Sequence, residues 1–216
     1  MKVSCVLLGA PGCGKGTQAV FISRMLNVPV VSTSDLIRKA LSSDLEEHKV
    51  LREKMEQGEL LDDTLIWGLL KTRLKQADCD NGCILDGYPR TMTQLEMMVD
   101  EKVKIDVMLF LDLPDSVIVE RMSGRRVHPS SGRSYHIVHN PPKVEGVDDI
   151  TGEPLIQRSD DSESTVLKRL AIFSQDTMPM IRWAHDGHSM LGRMVYIDAA
   201  QSISAVQTAI RAVWQD

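Results

Sequence analysis

The chain has 216 residues, 43% of them hydrophobic and 25% charged, and a formal net charge of −5, with a pI near 5.7. That is enough chain to bury one sizeable core, in a composition ordinary for a globular protein. The acidic balance argues against a general binder of nucleic acid or anionic membrane, and no apolar run approaches the roughly 18 residues of a membrane span.

Val3–Leu8 (VSCVLL) predicts a buried strand that runs straight into Gly9–Gln18, reading GAPGCGKGTQ; helical spacing follows through Ala19, Ile22, Met25 and Leu26. Strand, glycine-rich turn, lysine and helix form the context in which a loop binds phosphate. Glycines let backbone N–H groups turn around an anion, the helix N-terminus adds partial positive charge, and Lys15 adds a full one. The general motif has Ser or Thr directly after the lysine; here Gly16 intervenes and Thr17 follows. Lys2 leads at once into the strand, so no signal pattern is read at the start. Cys5, Cys13, Cys79 and Cys83 show no zinc-like CxxC pair and are expected as reduced thiols of a cytoplasmic protein. Cys13 is expected to be a bystander in the loop.

Further strands are expected at Val28–Val31, Cys83–Leu85, Val107–Leu111 and Met194–Ile197. Helical patterns occupy 15–26, 35–57, 62–77, 92–100, 115–122, 162–184 and 202–214. Continuous apolar runs such as Val107–Leu111 mark strands buried on both faces. Their alternation with helices predicts an α/β fold with a parallel sheet flanked by helices. Ligands then lie at the carboxyl ends of the strands, where Asp86, Asp112 and Asp198 stand. The charged run Leu45–Glu59 reads as a solvated helix face, and Trp67, Trp183 and Trp214 as packing residues in helices. The 12 methionines against three phenylalanines read as flexible core filler.

Gly124–Asp161 breaks the alternation. About 38 residues of polar, Pro- and Gly-containing sequence with charges of both signs stand here; a structureless loop of that length is uncommon in a compact domain, and such segments often serve as lids. The alternating patch Ser134–Val138 suggests a small antiparallel sheet within it.

Five motifs occur in order: GAPGCGKGTQ at 9–18, STSDLIR at 32–38, LDGYPR at 85–90 with Gln94 beyond it, GRRVH at 124–128 with NPPK at 140–143, and Arg158 with Asp160-Asp161 and Lys168-Arg169-Leu170. From the first strand to about residue 181 the chain resembles adenylate kinases of the long-lid type. The resemblance implies a five-stranded P-loop core (1–31, 62–123 and 162–216), a nucleoside-monophosphate-binding helical insertion (32–61) and a lid (124–161). It implies ATP and AMP as partners and Mg²⁺-dependent transfer giving two ADP, in a monomer without nucleic-acid or membrane partners.

By that resemblance Lys15, Arg90, Arg125, Arg158 and Arg169 carry catalysis. Gly12, Cys13, Gly14, Lys15, Gly16, Thr17, Arg121, Arg125 and Gln201 hold ATP. Thr33, Arg38, Leu61, Gly87, Arg90, Gln94, Arg158 and Arg169 hold AMP. Asp86 and Asp35 hold Mg²⁺ through water, and Asp112 has either a structural or an indirect metal role. Chemically, a phosphoryl transition state spreads charge over oxygens, and an arginine fork grips such oxygens in pairs. Some relatives place four zinc-binding cysteines in the lid. The corresponding His128, Ser131, Asp148 and Thr151 are poor in zinc ligands, so a hydrogen-bonded polar cluster without zinc is expected. His136 and His139 are expected as lid-surface or turn residues. Two positions depart from the family pattern. Ser34 stands where Gly is usual, which puts acceptor affinity in question. Ala199 likewise stands where Gly is common, leaving the choice between ATP and GTP as donor open.

Overall fold

The computed structural model describes residues 1–42, 51, 53, 57, 61–158, 161–186 and 192–215. Five strands form one parallel sheet in the order β2-β3-β1-β4-β7. They are β1 (Lys2–Leu8), β2 (Val30–Ser32), β3 (Ile84–Asp86), β4 (Lys104–Asp112) and β7 (Arg193–Asp198). Both faces of the central β1 are covered: Val3, Val6 and Leu8 join one apolar cluster, Cys5 and Leu7 the other. That two-sided burial is why β1 reads as a continuous apolar run.

Helices α1 (Lys15–Leu26), α2 (Thr33–Ala40), α3 (Asp63–Leu74), α4 (Met92–Asp100), α5 (Asp115–Ser123), α6 (Glu163–Ile172), α7 (Met178–His185) and α8 (Ile203–Ala212) surround the sheet. Ile22, Ile118, Val166 and Ile210 fill one side; Trp67, Leu70, Leu95, Met98 and Ile181 fill the other. Side-chain oxygens of Ser32, Asp62, Thr91, Ser162 and Ser202 accept backbone N–H groups at the starts of α2, α3, α4, α6 and α8. These caps fix where the helices begin.

The expected strand at Val28–Val31 starts two residues late. The Val28 N–H bonds to Ser23 O and its carbonyl accepts the Ser23 hydroxyl at 2.6 Å, so this residue finishes the turn after α1. The expected helix over 35–57 is not continuous. It begins at Thr33 and ends at Ala40, where the Ser42 hydroxyl takes the Lys39 carbonyl at 2.9 Å; such side-chain bonding competes with helix propagation. Of the charged run 45–59, only Leu51, Glu53 and Gln57 are described; Leu51 packs against the core and the other two are exposed. Trp183 also departs from expectation. The buried stripe of α7 is Met180, Ile181 and Ala184, which leaves Trp183 36% exposed. Trp67 is buried against Tyr88, while half-buried Trp214 packs on the second cluster.

Within 124–161, β5 (Arg125–Val127) pairs antiparallel with β6 (Ser134–His136). A bridge between Val127 and Ile156 joins the later part of the segment to this ribbon, and a second, between Val147 and Pro154, closes a loop within that part.

Candidate active site

The loop after β1 turns at Gly14, whose φ of 101° lies in the left-handed region that suits glycine. No side chain among the described residues caps α1 at this end, so its first N–H groups can meet an anion. Lys15 Nζ donates to Gly9 O at 2.7 Å and Ala10 O at 2.9 Å, which holds the ammonium beside the loop. Burial pushes the neighbouring Cys13 thiol up from its ordinary value despite Lys15; such a thiol is a poor nucleophile.

The loop forms part of a cleft of 1220 Å³ at the carboxyl ends of the strands. Its lining includes Asp35 and Arg38 from α2, Asp86 at the end of β3 and Arg90 beyond it, Arg121 near the end of α5, Arg125 on β5, Arg158, and Arg169 on α6. Six arginines from across 132 residues of sequence (38 to 169) thus converge on one cleft. Arg38, Arg90, Arg121 and Arg125 are each held differently. Arg38 Nη1 donates to Asp35 at 2.7 Å. Arg121 Nη1 donates to Ala199 O at 3.0 Å, joining α5 to the loop after β7. Arg125 pairs through two nitrogens with the fully buried carboxylate of Asp161. On the far side, Asp198 accepts Ala200 N–H at 2.9 Å and Gln201 Nε2 at 3.1 Å, fixing the loop that bears Gln201.

Arg90 is anchored most tightly. Its Nε donates to Gly87 O at 2.8 Å and its Nη2 to Ser34 Oγ at 3.4 Å, while its carbonyl accepts the Thr177 hydroxyl at 2.8 Å. Gly87 has φ 85°, and a Cβ there would lie 2.8 Å from Arg90 Nη2, so both backbone and space call for glycine. Burial pushes the Arg90 guanidinium down from its ordinary value; Asp86 holds it up and Arg38 repels it. Asp86 is affected in the opposite sense. Burial raises its carboxyl pKa, and Lys15 and Arg90 only partly offset this.

Gly12, Cys13, Gly14, Lys15, Gly16, Thr17, Gln201 and Gly87 line the cleft together with the arginines. Leu61, Thr33 and Gln94 are buried and do not line it. The Thr33 hydroxyl bonds to Asp86 O at 3.2 Å. Gln94 Oε1 accepts the Arg90 N–H at 2.7 Å and its Nε2 donates to Asp63 at 2.7 Å, so its amide braces the turn that carries Arg90. Asp112 is exposed and also stands outside the lining; its carbonyl accepts Ala199 N–H at 2.8 Å. Sequence reasoning missed Asp63, which takes both Gln94 and the Thr91 hydroxyl. It stands 31 residues before Gln94, so no local pattern could reveal it.

His128, Ser131, Asp148 and Thr151 meet in one network. His128 Nδ1 is 2.7 Å from Ser131 Oγ, and its Nε2 contacts Glu153. Asp148 accepts Arg133 Nε and Nη2 at 2.7 and 2.6 Å, the Tyr135 hydroxyl at 2.8 Å and the Thr151 N–H at 2.8 Å. The hydrogen bond from Arg133 is the main reason that its carboxyl lies well below the usual carboxylate range. No group of three or more His, Cys, Asp or Glu side chains among the described residues is disposed to hold a metal ion. His136 Nδ1 accepts the N–H groups of Val138 and His139, both at 3.0 Å, and so shapes the turn after β6.

Comparison with protein families matches residues 7–187 to the family described as adenylate kinase. The match takes in the phosphate loop, the arginines of the cleft and the 124–161 ribbon, leaving β7 and α8 beyond it. This chain therefore belongs to the adenylate kinase family and is a nucleotide kinase.

Proposed function

We propose that the protein transfers the terminal phosphoryl group of ATP to AMP, giving two ADP, and that it is a long-lid member of its family. One observation carries this reading: Lys15 and six arginines line a single cleft with a glycine-rich loop at its floor. Two nucleotides bring several like charges together, and a site of this cationic density offsets that repulsion.

In this reading the phosphate loop, Lys15, Arg121 and Arg125 grip the donor, with its adenine beside Gln201. Arg38 and Arg90 grip the acceptor phosphate, and Arg158 and Arg169 reach both. Thr33 and Leu61 shape the acceptor side from the layer beneath. For Gln94 to read the acceptor base, its Nε2 must exchange Asp63 for the base edge. An acceptor phosphate oxygen attacks the terminal phosphorus in line, and the bond to the bridging oxygen of the donor breaks. The acceptor oxygen is ionised near neutral pH, so the chain need not supply a general base. Its task is to align the two phosphates and neutralise the charge that develops.

Asp86 and Asp35 present the oxygen ligands that Mg²⁺ favours. The raised carboxyl of Asp86 is a desolvated charge that a nearby cation would relieve, and Asp35 keeps one oxygen beyond its pairing with Arg38. These two would hold the ion through water, where it supplies charge neutralisation on the phosphate oxygens.

The ribbon of 124–161 acts as the lid, bringing Arg125 and Arg158 over the donor and excluding water that would turn transfer into hydrolysis. The acceptor segment spans 32–61, and the remaining sections form the core. We place the protein in the cytoplasm as a monomer; all four cysteines are free thiols, which suits a reducing compartment.

The test is ADP formation from ATP and Mg²⁺ with AMP, CMP, UMP or GMP as acceptor, repeated for AMP with GTP as donor. Fast, AMP-selective turnover with ATP is the expected result. Preference for another acceptor or donor moves the specificity, and absence of transfer overturns the reading.

A further inference from the structure

We infer that Ser34 is a positioning residue, whose hydroxyl sets the orientation in which Arg90 presents its guanidinium to the acceptor phosphate. This rests on the acceptor role proposed for Arg90. A guanidinium carries its five N–H donors on two usable edges: Nε with one side of Nη2, and the far end where Nη1 and Nη2 form a fork. In Arg90 the first edge is taken by the protein. Nε donates to Gly87 O at 2.8 Å and Nη2 to Ser34 Oγ at 3.4 Å. No protein group among the described residues takes an Nη1 hydrogen, and Nη1 is not a buried orphan, so the end fork faces the cleft that Arg90 lines. With Gly87 O alone, the guanidinium has a single pivot; Ser34 supplies the second point that defines its plane.

Ser34 is itself well placed to act as a fixed reference. It is the second residue of α2, whose start is capped by the Ser32 side chain. Next to it, the Thr33 hydroxyl bonds to Asp86 O at 3.2 Å. Two successive hydroxyls of the α2 root therefore tie it to the turn 86–90. The Arg90 backbone is held separately, by Gln94 Oε1 on its N–H and the Thr177 hydroxyl on its carbonyl. Those bonds fix where the residue stands. Ser34 and Gly87 fix where its charge points, and a bidentate grip on phosphate depends on direction. A purely steric role makes the opposite prediction, because Ser34 also lines the cleft: removing its side chain would then make room and improve acceptor binding.

The experiment compares Ser34→Ala and Ser34→Gly with the wild type in ADP formation, varying AMP at saturating ATP and Mg²⁺ and then the reverse. Arg90→Ala serves as reference, and melting is recorded without nucleotide. Loss of one hydrogen bond that is long, at 3.4 Å, and so no stronger than an ordinary neutral one, predicts that KM for AMP rises about fivefold in both variants. KM for ATP and the nucleotide-free Tm stay at the wild-type values. An AMP KM that is unmoved or lowered overturns the inference, as does a parallel rise of both KM values with a fallen Tm, the mark of a merely structural role. If Arg90→Ala itself leaves AMP turnover intact, the acceptor role of Arg90 fails and the inference falls with it. If Arg90→Ala is impaired while the Ser34 variants are normal, only the inference is lost.

Discussion

Asp86 in the cleft and Asp148 in the 124–161 ribbon both have an arginine close by, yet they are driven in opposite directions. Burial raises the Asp86 carboxyl; hydrogen bonding from Arg133 holds Asp148 well down. The arginines mirror them: burial lowers Arg90, whereas Asp148 raises Arg133. In the ribbon each ion is satisfied by its partner, and Asp148 accepts from two guanidinium nitrogens, a phenol, a hydroxyl and two backbone N–H groups. In the cleft no ion pair between Asp86 and Arg90 is made among the described residues, and each charge is desolvated without full compensation. A charge left in that condition is available to a ligand; a charge bonded on all sides holds a fold together.

Chelation should separate the two regions most sharply. Removing divalent cations is expected to abolish phosphoryl transfer, restored by Mg²⁺, while the nucleotide-free Tm does not move. A large drop in Tm would mean that the ribbon depends on a bound metal and not on its polar network. Arg90→Ala comes next: turnover should fall roughly 10²-fold or more, the loss typical of a partner for developing phosphate charge. Activity near wild type would remove Arg90 from the machinery. Asp148→Asn keeps the shape of the side chain but leaves Arg133 without its counter-ion. Hydrogen exchange at the N–H groups of Val127, His128 and Asp148, which bond within the ribbon, should quicken roughly tenfold while β1 and β4 are unaffected. Because the Asp148 carboxyl is depressed, its contribution is complete above the ordinary value near 3.8 and is lost only as pH falls below it. The difference between wild type and Asp148→Asn should therefore be constant from pH 5 to 8. A difference that fades within that range would contradict the depressed carboxyl.

The contrast also explains what could be read from the sequence. The sheet was legible because β1 and β4 are buried on both faces and appear as unbroken apolar runs. The phosphate loop was legible because its glycines and lysine are contiguous. Boundaries slipped where a single side chain diverts the backbone, as Ser23 does at Val28 and Ser42 does after Ala40. The strand Ser134–His136 showed in its alternation, but its partner Arg125–Val127 did not, since two of its three residues are arginines, of which Arg125 also lines the cleft. Long-range braces were the least legible. Gln94 fits the family motif as a base reader, yet its amide is engaged by Arg90 and Asp63, a role that depends on α3 and α4 packing side by side.

The smallest effect belongs to His136, which lies where the two regions meet. Its Nδ1 accepts two backbone N–H groups at 3.0 Å, so a proton there would displace both. Its Nε2 is buried with no hydrogen-bond partner among the described residues, and the ring lies against Gly124, where a Cβ would be 2.4 Å from Nε2. Burial is the first cause of its lowered pKa; His139, whose ring centroid is 4.5 Å away, and Arg121 add to it, against the Arg121 backbone and Glu120. A lowered pKa means that the unfolded chain binds the proton more tightly. The stabilising contribution is thus complete above the ordinary value of 6.5 and is lost as pH falls through the window below it. Because the ring is partly solvated, the loss is small: His136→Asn should narrow the fall in Tm between pH 7 and 5.5 by about 1 °C. If the variant follows the wild type across that window, the turn after β6 tolerates the imidazolium, and its two N–H groups do not require a neutral ring.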